Sequence, residues 1–582
     1  MDVVPKSVVT EDVLSNKKGV NQLLIAAYHD VTGLTVNSGW WSTSGTNWVY
    51  GDITSGDAFR GGQNKPKDLD GNTIERFQTQ PTTAYLLDKW RSVYDGVSRS
   101  NAVIRASLKA IDMSDEEKTQ AQAEARFLRG HFHFDAKKMW NNVPFIDENV
   151  IDFKVANDAD IWPNIEADFR FAFDHLPSTQ FLKGQANKWA AACYIAKCYM
   201  FEKKFAAAKA LLDSIIPSAY GGNGNGVNAQ GTPYALVANF DENFNAETEN
   251  NAEQVFQIQF SVNDGSNGGN ENIGETTNTP AFYPLSSFFT TWKQPTFNLV
   301  NAFKTDADGL PMLDTFNVTN MTNDQNVAAD DYTYSTYQGT VDPRLDWTVG
   351  RRGVPYLDWA SPSYFGANAT GYSSFPTSDP SYGWINDRTF GGPYSPVKNN
   401  YRAIQFGTFS DYYAQGYLLG SAVNYSIIRF ADVLLWAAEC EVEIGSVDKA
   451  RTLVNYIRER AINGRQVEIA YDYLGNYLPS ANYYVGLYND PWNDQAMARN
   501  AVRFERRLEL ALEGHRFFDL VRWGIAADYL SIYLATEKNR LPNNLTSASF
   551  TAGKNEYFPI PQQEIDLSSV NGTPLLKQNP GY

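Results

Sequence analysis

The sequence predicts a mainly α-helical fold, in which paired helices form a scaffold and a long loop-rich section is inserted between two helical blocks. In the first block, apolar residues recur at steps of three and four, which is the spacing of one helix face. They are Ala121, Ala125, Leu128, Phe132, Ala136 and Met139. This helix should end before Pro144, because proline disfavours the helical conformation in the residue that precedes it.

Two further helix pairs share one spacing of small residues. Ala196 and Ala208 lie twelve residues apart and are small enough for two antiparallel helices to approach closely. The same spacing returns at Ala438 and Ala450, with Gly445 between them as a turn. Helical hairpins are common, but two in the same register are typical of a tetratricopeptide-like scaffold, whose repeat is about 34 residues long.

The middle section has a different composition. Residues 220–226 and 263–269 are glycine- and asparagine-rich turns, whereas the alternation at 255–260 predicts an isolated short strand. Loop-rich sections of this length are usually functional. We therefore expect one integrated fold with three sections. They are an N-terminal helical part with the first ligand loops (1–217), a ligand-facing region (218–424) and a C-terminal helical part with a terminal tail (425–582).

The charge balance and the aromatic content narrow the class of partner. The chain has 582 residues, with 49 Lys and Arg against 66 Asp and Glu, and a net charge of −17. An acidic chain does not favour nucleic acid, because neutralising phosphates needs clustered cations. Aromatic residues make up 14% of the chain, which is more than a core requires. Trp and Tyr combine an apolar ring face with a polar N–H or O–H group, which is the combination that sugar binding needs. The net negative charge favours a neutral over an anionic polysaccharide as the ligand.

The sequence lacks the common motifs of catalytic sites, metal sites and membrane spans. The sequence has no nucleophile elbow, zinc helix or phosphate loop, and no apolar run of the ~20 residues that a membrane span needs. His131 and His133 point to different faces of a helix, and residues 306–309 lack the later oxygens of a calcium loop. We expect no enzyme activity, no cofactor and no metal, although the paired carboxylates of a glycosidase would leave no local signature.

Cysteine in apolar helical stretches usually behaves as a small buried hydrophobe, and we expect this of Cys193, Cys198 and Cys440.

The C-terminal block carries a distinctive charged helix at residues 503–524, whose sequence is RFERRLELALEGHRFFDLVRWG. Its apolar residues form one stripe at helical spacing. Its acidic and basic residues suit ion pairs between helices, because the planar arginine fork can satisfy carboxylates bidentately. We expect that structural role for Glu505, Arg506, Arg507, Glu509, Glu513 and Arg516.

This helix resembles the signature helix of the SusD/RagB family, the outer-membrane nutrient-binding lipoproteins of Bacteroidetes. Five further stretches agree with the family in order, so the resemblance covers essentially the whole chain. They are residues 123–129 with 143–144, 342–345, 428–435 running into 438–439, 559–561 followed by 564–565, and 578–582. The opening residues 2–6 also resemble the start of the mature family proteins, just after the lipidated cysteine.

The resemblance implies a non-enzymatic binding protein at the cell surface. Family members have a helical body of four tetratricopeptide-like pairs, whose loops carry the ligand. They cap a SusC-like TonB-dependent outer-membrane transporter. The resemblance therefore implies that this chain captures a polysaccharide or oligosaccharide, delivers it to such a transporter and meets the membrane only through an N-terminal lipid anchor. Three alternatives stay open: a peptide-binding protein of the RagB type, a carbohydrate-active enzyme and an intracellular helical-repeat adaptor.

Aromatic residues on polar loops are the candidate ligand contacts, together with two charged residues beside them. A sugar face packs on a flat ring, while its hydroxyls need planar polar partners. The segment after the first helix supplies Trp40, Trp41 and Trp48, followed by Asp57 and Arg60. Further candidates lie in or near the middle section: Tyr283, Trp292, Trp347, Trp359, Tyr364 and Trp384. By contrast, we expect the helical Trp90, Trp140, Trp189 and Trp436 to lie in the core.

Overall fold

The computed structural model describes residues 13–34, 40–61, 69–266, 270–272, 292–327, 333–358, 388–412, 419–470 and 477–582. Within these ranges the chain is mainly helical and its strands are short. The helices are α1 (Lys17–His29), α2 (Trp40–Thr43), α3 (Trp48–Gly51), α4 (Leu69–Glu75), α5 (Ala84–Lys109), α6 (Asp115–Trp140), α7 (Trp162–His175), α8 (Lys188–Phe201), α9 (Phe205–Ile215), α10 (Phe297–Ala302), α11 (Arg344–Thr348), α12 (Arg388–Gly391), α13 (Phe430–Ile444), α14 (Val447–Asn463), α15 (Gln495–Leu510), α16 (Arg516–Trp523), α17 (Ala526–Arg540), α18 (Pro542–Leu545) and α19 (Gln562–Leu567).

The strands form two-stranded antiparallel ladders that join distant parts of the chain. They are β1 (Ala58–Gly61), β2 (Gln254–Ile258), β3 (Trp292–Pro295), β4 (Val349–Gly350), β5 (Ser395–Pro396), β6 (Ser410–Tyr412), β7 (Leu419–Ser421), β8 (Tyr425–Arg429), β9 (Glu468–Ala470) and β10 (Tyr477–Pro479). The pairs are β1–β3, β2–β8, β4–β5, β6–β7 and β9–β10. The loop-rich middle is thus attached to both helical blocks by short ladders. The division into three sections remains a prediction.

The long helices pack one against the next. From α5 to α9 each helix contacts its successor, α9 then contacts α13, and α13 contacts both α14 and α15. Helix α1 closes the other end against α5 and α6. This arrangement confirms the predicted helical scaffold of tetratricopeptide-like pairs.

Helix α6 shows how local sequence sets the element. It begins with a capping box, in which Ser114 accepts from the backbone of Glu117 and Glu117 accepts from the backbone of Ser114. It ends at Trp140, four residues before Pro144, as predicted. The α5 helix can approach it closely because residue 96 is glycine. A Cβ atom there would lie 2.3 Å from the ring of Phe132.

The twelve-residue spacing marks the predicted close contacts. Ala196 and Ala208 lie on α8 and α9, Ala438 and Ala450 lie on α13 and α14, and all four side chains are fully buried. Gly445 ends α13 and donates its backbone N–H to the carbonyl of Glu441. Small residues at these four positions let each pair pack closely.

Charged residues of α15 and of the turn that follows it form the predicted ion pairs. Arg344 contacts both Glu505 (2.7 Å) and Glu509 (2.9 Å), and Arg429 contacts Glu509 (2.5 Å) and Glu513 (2.8 Å). All of these side chains are buried. Because Arg344 begins α11 and Arg429 ends β8, the network fastens the middle section to the C-terminal helices.

Further ion pairs extend along the same motif, with one exception. Arg506 contacts Asp432 and Asp519, and Arg507 contacts Asp57 at 2.7 Å. Arg516 instead lies over aromatic rings. Its guanidinium carbon is 5.6 Å from the centre of the Trp523 ring and 5.0 Å from that of Tyr529.

The other residues that the sequence singled out have structural roles. The Nδ1 atom of His131 lies 2.6 Å from the hydroxyl of Tyr194, and burial lowers the pKa of this histidine to about 3. His133 accepts the backbone N–H of Ile146 through Nε2 (3.1 Å). Asp306 caps a plain turn by accepting the backbone N–H groups of Asp308 and Leu310. The three cysteines are buried free thiols.

Within the described ranges, no helix combines the length and hydrophobicity that crossing a bilayer requires. No group of three or more His, Cys, Asp and Glu side chains there is arranged to hold a metal ion.

Candidate ligand-binding site

The ladder between β1 and β3 brings the first tryptophan-rich loop to Trp292, although the two segments lie more than 200 residues apart. Gly61 pairs with Trp292, and Phe59 pairs with Gln294. Both strands are buried along their length. Arg60 and Trp292 thus become neighbours at one end of the ladder.

Four side chains form a continuous chain of ring contacts at this end of the ladder. The rings of Trp41 and Trp292 are stacked, with centroids 4.8 Å apart and planes 25° apart. The guanidinium carbon of Arg60 lies 4.8 Å from the centre of the Trp292 ring and 5.1 Å from that of Phe390. Trp292 is 8% exposed and Arg60 is 2% exposed, whereas Trp41 is only partly buried. Trp41 is therefore the outermost of the four, and we call the set the Trp41 stack.

Strand β3 is held by hydrogen bonds to two other parts of the fold. Lys293 has a left-handed backbone (φ 55°), and its ammonium group donates to the carbonyl of Leu512 (2.8 Å). The amide of Gln294 donates to the carbonyls of Gly392 (3.1 Å) and Tyr394 (3.2 Å). A left-handed backbone at a lysine is unfavourable and persists only where the surrounding structure holds it. The bonds made by Lys293 and Gln294 therefore fix the backbone beside Trp292 and, with it, the position of the Trp292 ring.

Close packing of α12 against β3 requires a glycine. A Cβ atom on Gly391 would lie 1.9 Å from the side-chain oxygen of Gln294. Its neighbour Phe390 is fully buried and supports Arg60. A larger residue at 391 would separate these elements and so move the base of the Trp41 stack.

Asp57 links the loop to α15 rather than facing solvent. It is fully buried and accepts from Nε (2.9 Å) and Nη2 (2.7 Å) of Arg507. Arg507 also donates to the side-chain oxygen of Asn298 at the start of α10 (2.6 Å). The predicted single helix at 503–524 is in fact two helices, α15 and α16, because the chain turns between them, with positive φ at Leu512 and Gly514. Through Arg507 on α15, this motif helps to position the segments before β1 and after β3.

A buried carboxylate supports the backbone of Arg60. One oxygen of Glu75 accepts the backbone N–H of Arg60 (3.1 Å) and the side-chain amide of Asn544 (2.9 Å). Burial raises the pKa of Glu75, and these bonds oppose that rise.

The remaining predicted residues fall into three groups. Trp48 is 1% exposed within the core. Trp347 is 7% exposed, donates its indole N–H to the carbonyl of Arg465 (2.9 Å) and packs in a separate apolar cluster with Phe240 and Phe244. Trp40 lies in α2, but its side chain is outside the described part. Four others lie outside the described residues: Tyr283, Trp359, Tyr364 and Trp384.

Of the tryptophans expected in the core, Trp90, Trp140 and Trp436 are buried, whereas Trp189 is only partly buried. Phe390 is the member of the Trp41 stack that sequence reasoning missed. Its only signal is an aromatic residue directly before two glycines in a turn-rich stretch, and such a signal is common.

A stacked pair of indoles beside a guanidinium is suited to binding rather than to bond cleavage. Offset-stacked rings favour each other, and the partly exposed ring can accept an apolar ligand face.

Comparisons with known proteins agree over most of the chain. The profile of the SusD family matches residues 252–582. A second family profile, described as starch-binding associating with outer membrane, matches residues 2–200. A SusD-like protein of Formosa agariphila is 24% identical over 499 residues, which cover 83% of this chain and 77% of the relative. A SusD-like protein of Bacteroides ovatus is 24% identical over 463 residues, covering 77% and 67%.

Solved structures share the fold. A SusD superfamily protein from Bacteroides vulgatus superposes with a TM-score of 0.63 at 20% identity, covering 98% of this chain and all of the other. A laminarin-binding SusD-like protein superposes with a TM-score of 0.57 at 23% identity, covering 97% and 100%. With one family profile matching more than half of its length, the chain belongs to the SusD family.

Proposed function

We propose that this protein captures a polysaccharide or oligosaccharide at the cell surface and passes it to a SusC-like TonB-dependent transporter in the outer membrane. The observation that carries the proposal is the Trp41 stack. It presents one indole ring outward from a loop that is fastened to a rigid helical frame. Binding is the whole of the proposed activity, and no bond is made or broken.

The stack suits a sugar because it is held in place before the ligand arrives. Trp41 rests on Trp292, Trp292 rests on Arg60, and strand β3 is held by Lys293 and Gln294. A ring that is already immobile loses little conformational entropy when a ligand packs on it. Arg60 is too buried to reach a ligand, so its role is to position Trp292.

The relatives support the class of ligand and the location. One similar solved protein is described as laminarin-binding, and one matching family as starch-binding and associated with the outer membrane. A neutral glucan is the ligand that fits both descriptions and the net charge of −17. The lipid anchor and the transporter are properties of the family that we extend to this chain.

Affinity electrophoresis in gels containing laminarin, starch or other polysaccharides tests the proposal. We expect at least one neutral polysaccharide to retard the protein. Trp41→Ala should weaken that retardation by about tenfold or more, since stacking on an aromatic ring dominates such interfaces. Trp189→Ala is the matched control, because Trp189 is also partly buried but lies on α8.

Three results would contradict the proposal. The first is a Trp41→Ala variant that binds every glycan as the unmodified protein does. The second is retention of peptides with no retention of any glycan, which would favour the peptide-binding alternative. The third is the appearance of new reducing ends after prolonged incubation, which would indicate an enzyme. Thermal unfolding of both variants is the control for folding.

Delivery to a transporter has its own test. The full-length lipoprotein, expressed in its host with a tagged TonB-dependent transporter from the same gene neighbourhood, should co-purify with that transporter from outer membranes. Failure to co-purify would count against delivery and would leave glycan capture to be judged by the gels.

A further inference from the structure

We propose that a cavity between α5 and the C-terminal segment binds a neutral pyranose ring. It has a volume of about 300 Å³ and is lined by Trp90, Arg91, Tyr94, Phe153 and Glu564 among others. This volume is at the lower end of the range for small-molecule sites, about 300–1,000 Å³. The inference rests on the residues of this cavity and does not depend on the function proposed for the Trp41 stack.

Aromatic rings line the cavity and are held in fixed positions. Trp90 and Tyr94 lie one helical turn apart on α5, with ring centroids 4.9 Å apart. Trp90 packs against the edge of Trp140 at 5.0 Å, and the hydroxyl of Tyr94 donates to the carbonyl of Pro144 (2.9 Å). Phe153 adds a ring that is 62% exposed. Tyr94, supported by the buried Trp90, and the exposed Phe153 can therefore offer flat rings to the C–H face of a sugar.

The charged groups of the cavity are already neutralised in pairs. Nε of Arg91 lies 2.9 Å from Oε1 of Glu564, and the two side chains are 49% and 15% exposed. Nη2 of Arg99 lies 3.0 Å from Oδ2 of Asp95. A ligand with net charge would find no excess of opposite charge here. A neutral polyol is better suited, because its hydroxyls can accept from the guanidinium and donate to the carboxylates.

The two sites are built from different parts of the chain. The cavity uses α5, residues 144–153, and the segment from α19 to Leu576. The Trp41 stack uses α2, β1, β3 and α12. The two residue sets do not overlap, so each can be disabled without touching the other. In a capture protein, a second ring-binding site would raise the avidity for long chains by increasing the effective concentration of the ligand.

A fluorine label at the edge of the cavity provides a direct test. Ser98 is exposed and lines the cavity, so a Ser98→Cys variant can be labelled with a trifluoromethyl ketone reagent. The three native cysteines are fully buried and should stay unlabelled. Neutral methyl pyranosides and disaccharides are then titrated while the fluorine resonance is recorded. A Ser178→Cys variant, exposed elsewhere, carries the control label.

We expect at least one sugar to shift the Ser98→Cys resonance in a saturable way and to leave the Ser178→Cys resonance unchanged. Adding Phe153→Ala or Arg91→Met should weaken the apparent affinity by about threefold or more. Phe181→Ala, which removes a phenylalanine that is 96% exposed elsewhere, should not. Trp41→Ala should also leave this titration unchanged, whatever it does to polysaccharide binding.

The proposal would be overturned by the absence of a saturable shift with every sugar up to about 100 mM. It would also be overturned by equal shifts at both labels. The same holds if Phe153→Ala and Arg91→Met both titrate like the parent, or if Trp41→Ala abolishes the shift. Loss of polysaccharide binding in Trp41→Ala alone would concern the first site only, so failures of the two proposals can be told apart.

Discussion

Glu509 is the acidic centre of the buried network that joins the middle section to the C-terminal helices. It is fully buried, and three guanidinium groups surround it. Arg344 donates to Oε2 (2.9 Å), Arg429 donates to Oε1 (2.5 Å) and Arg460 also contacts Oε1. Glu509→Gln keeps the shape of the side chain, removes its charge and leaves three buried cations with one fewer partner.

We expect Glu509→Gln to lower the free energy of unfolding by a large amount but the Tm by only a few degrees. Breaking a buried ion pair by removing one partner typically costs about 3–5 kcal/mol. Unfolding entropy is about 2.1 cal/mol/K per residue, so a cooperative chain of 582 residues has an unfolding entropy of about 1.2 kcal/mol/K. A loss of about 4 kcal/mol therefore lowers the Tm by about 3–4 °C.

Differential scanning calorimetry of the purified variant measures this shift. The matched control is Glu443→Gln, because Glu443 pairs with Arg499 at 2.7 Å in a more exposed setting, with side chains 18% and 29% exposed. Pairs of that kind are worth about 0–1 kcal/mol, so the control should melt within about 1 °C of the parent. If Glu509→Gln melted no lower than Glu443→Gln, the network would not be holding the two parts together.

The pH dependence of the Tm difference between the parent and Glu509→Gln is a second measurement of the same effect. Burial alone would raise the pKa of Glu509, but the guanidinium groups of Arg460, Arg429 and Arg344 hold that pKa well below its usual range. A depressed pKa contributes stability above the unfolded value of about 4.3, and that stability is lost as the pH falls toward the folded value. The Tm gap between parent and Glu509→Gln should therefore be full above about pH 5 and narrow below about pH 4.

Three further predictions concern other parts of the scaffold. Gly96→Ala should destabilise the protein by about 1–3 kcal/mol in urea unfolding, because its Cβ would lie 2.3 Å from the Phe132 ring. Ser98→Ala on the same helix is the control and should be nearly neutral. Equal effects of the two substitutions on the free energy of unfolding would contradict this reasoning. Burial raises the pKa of Glu124, which accepts from the Tyr28 hydroxyl (2.7 Å), to about 7. The parent should thus lose stability relative to Glu124→Gln as the pH rises from about 4 to about 7, and parallel Tm profiles of the two proteins would argue against it. Finally, none of the three thiols should react with a chromogenic disulfide reagent in the folded protein and all three should react in denaturant, since burial raises their pKa values; rapid reaction of the folded protein would refute this.

The sequence predicted the scaffold well because its signals are local. A helix face is encoded by neighbours three and four residues apart, and Ala196 with Ala208 encodes a close helix contact within one hairpin. The role of the charged helix was also predictable. Buried charges must be paired, so Glu505 and Glu509 on a helix whose apolar stripe faces the core indicate cationic partners on other elements.

The sequence predicted which types of residue form the candidate site, but not which individual residues belong to it. Trp41 and Trp48 lie in the same polar loop and give the same sequence signal. One is partly exposed and stacked on Trp292, whereas the other is buried. Asp57 and Arg60 likewise read as ligand contacts, but the structure directs the first to Arg507 and the second to Trp292. Phe390 gave no usable signal at all.

By itself, then, the sequence determined the helical class, the paired packing, the family and the ionic character of the C-terminal motif. Only the tertiary structure decided which aromatic rings meet, because the contact between Trp41 and Trp292 depends on a ladder that joins residue 58 to residue 295. Spacing along a chain specifies neighbours within a few residues. Contacts across hundreds of residues depend on how all the intervening elements pack, and no local pattern records that.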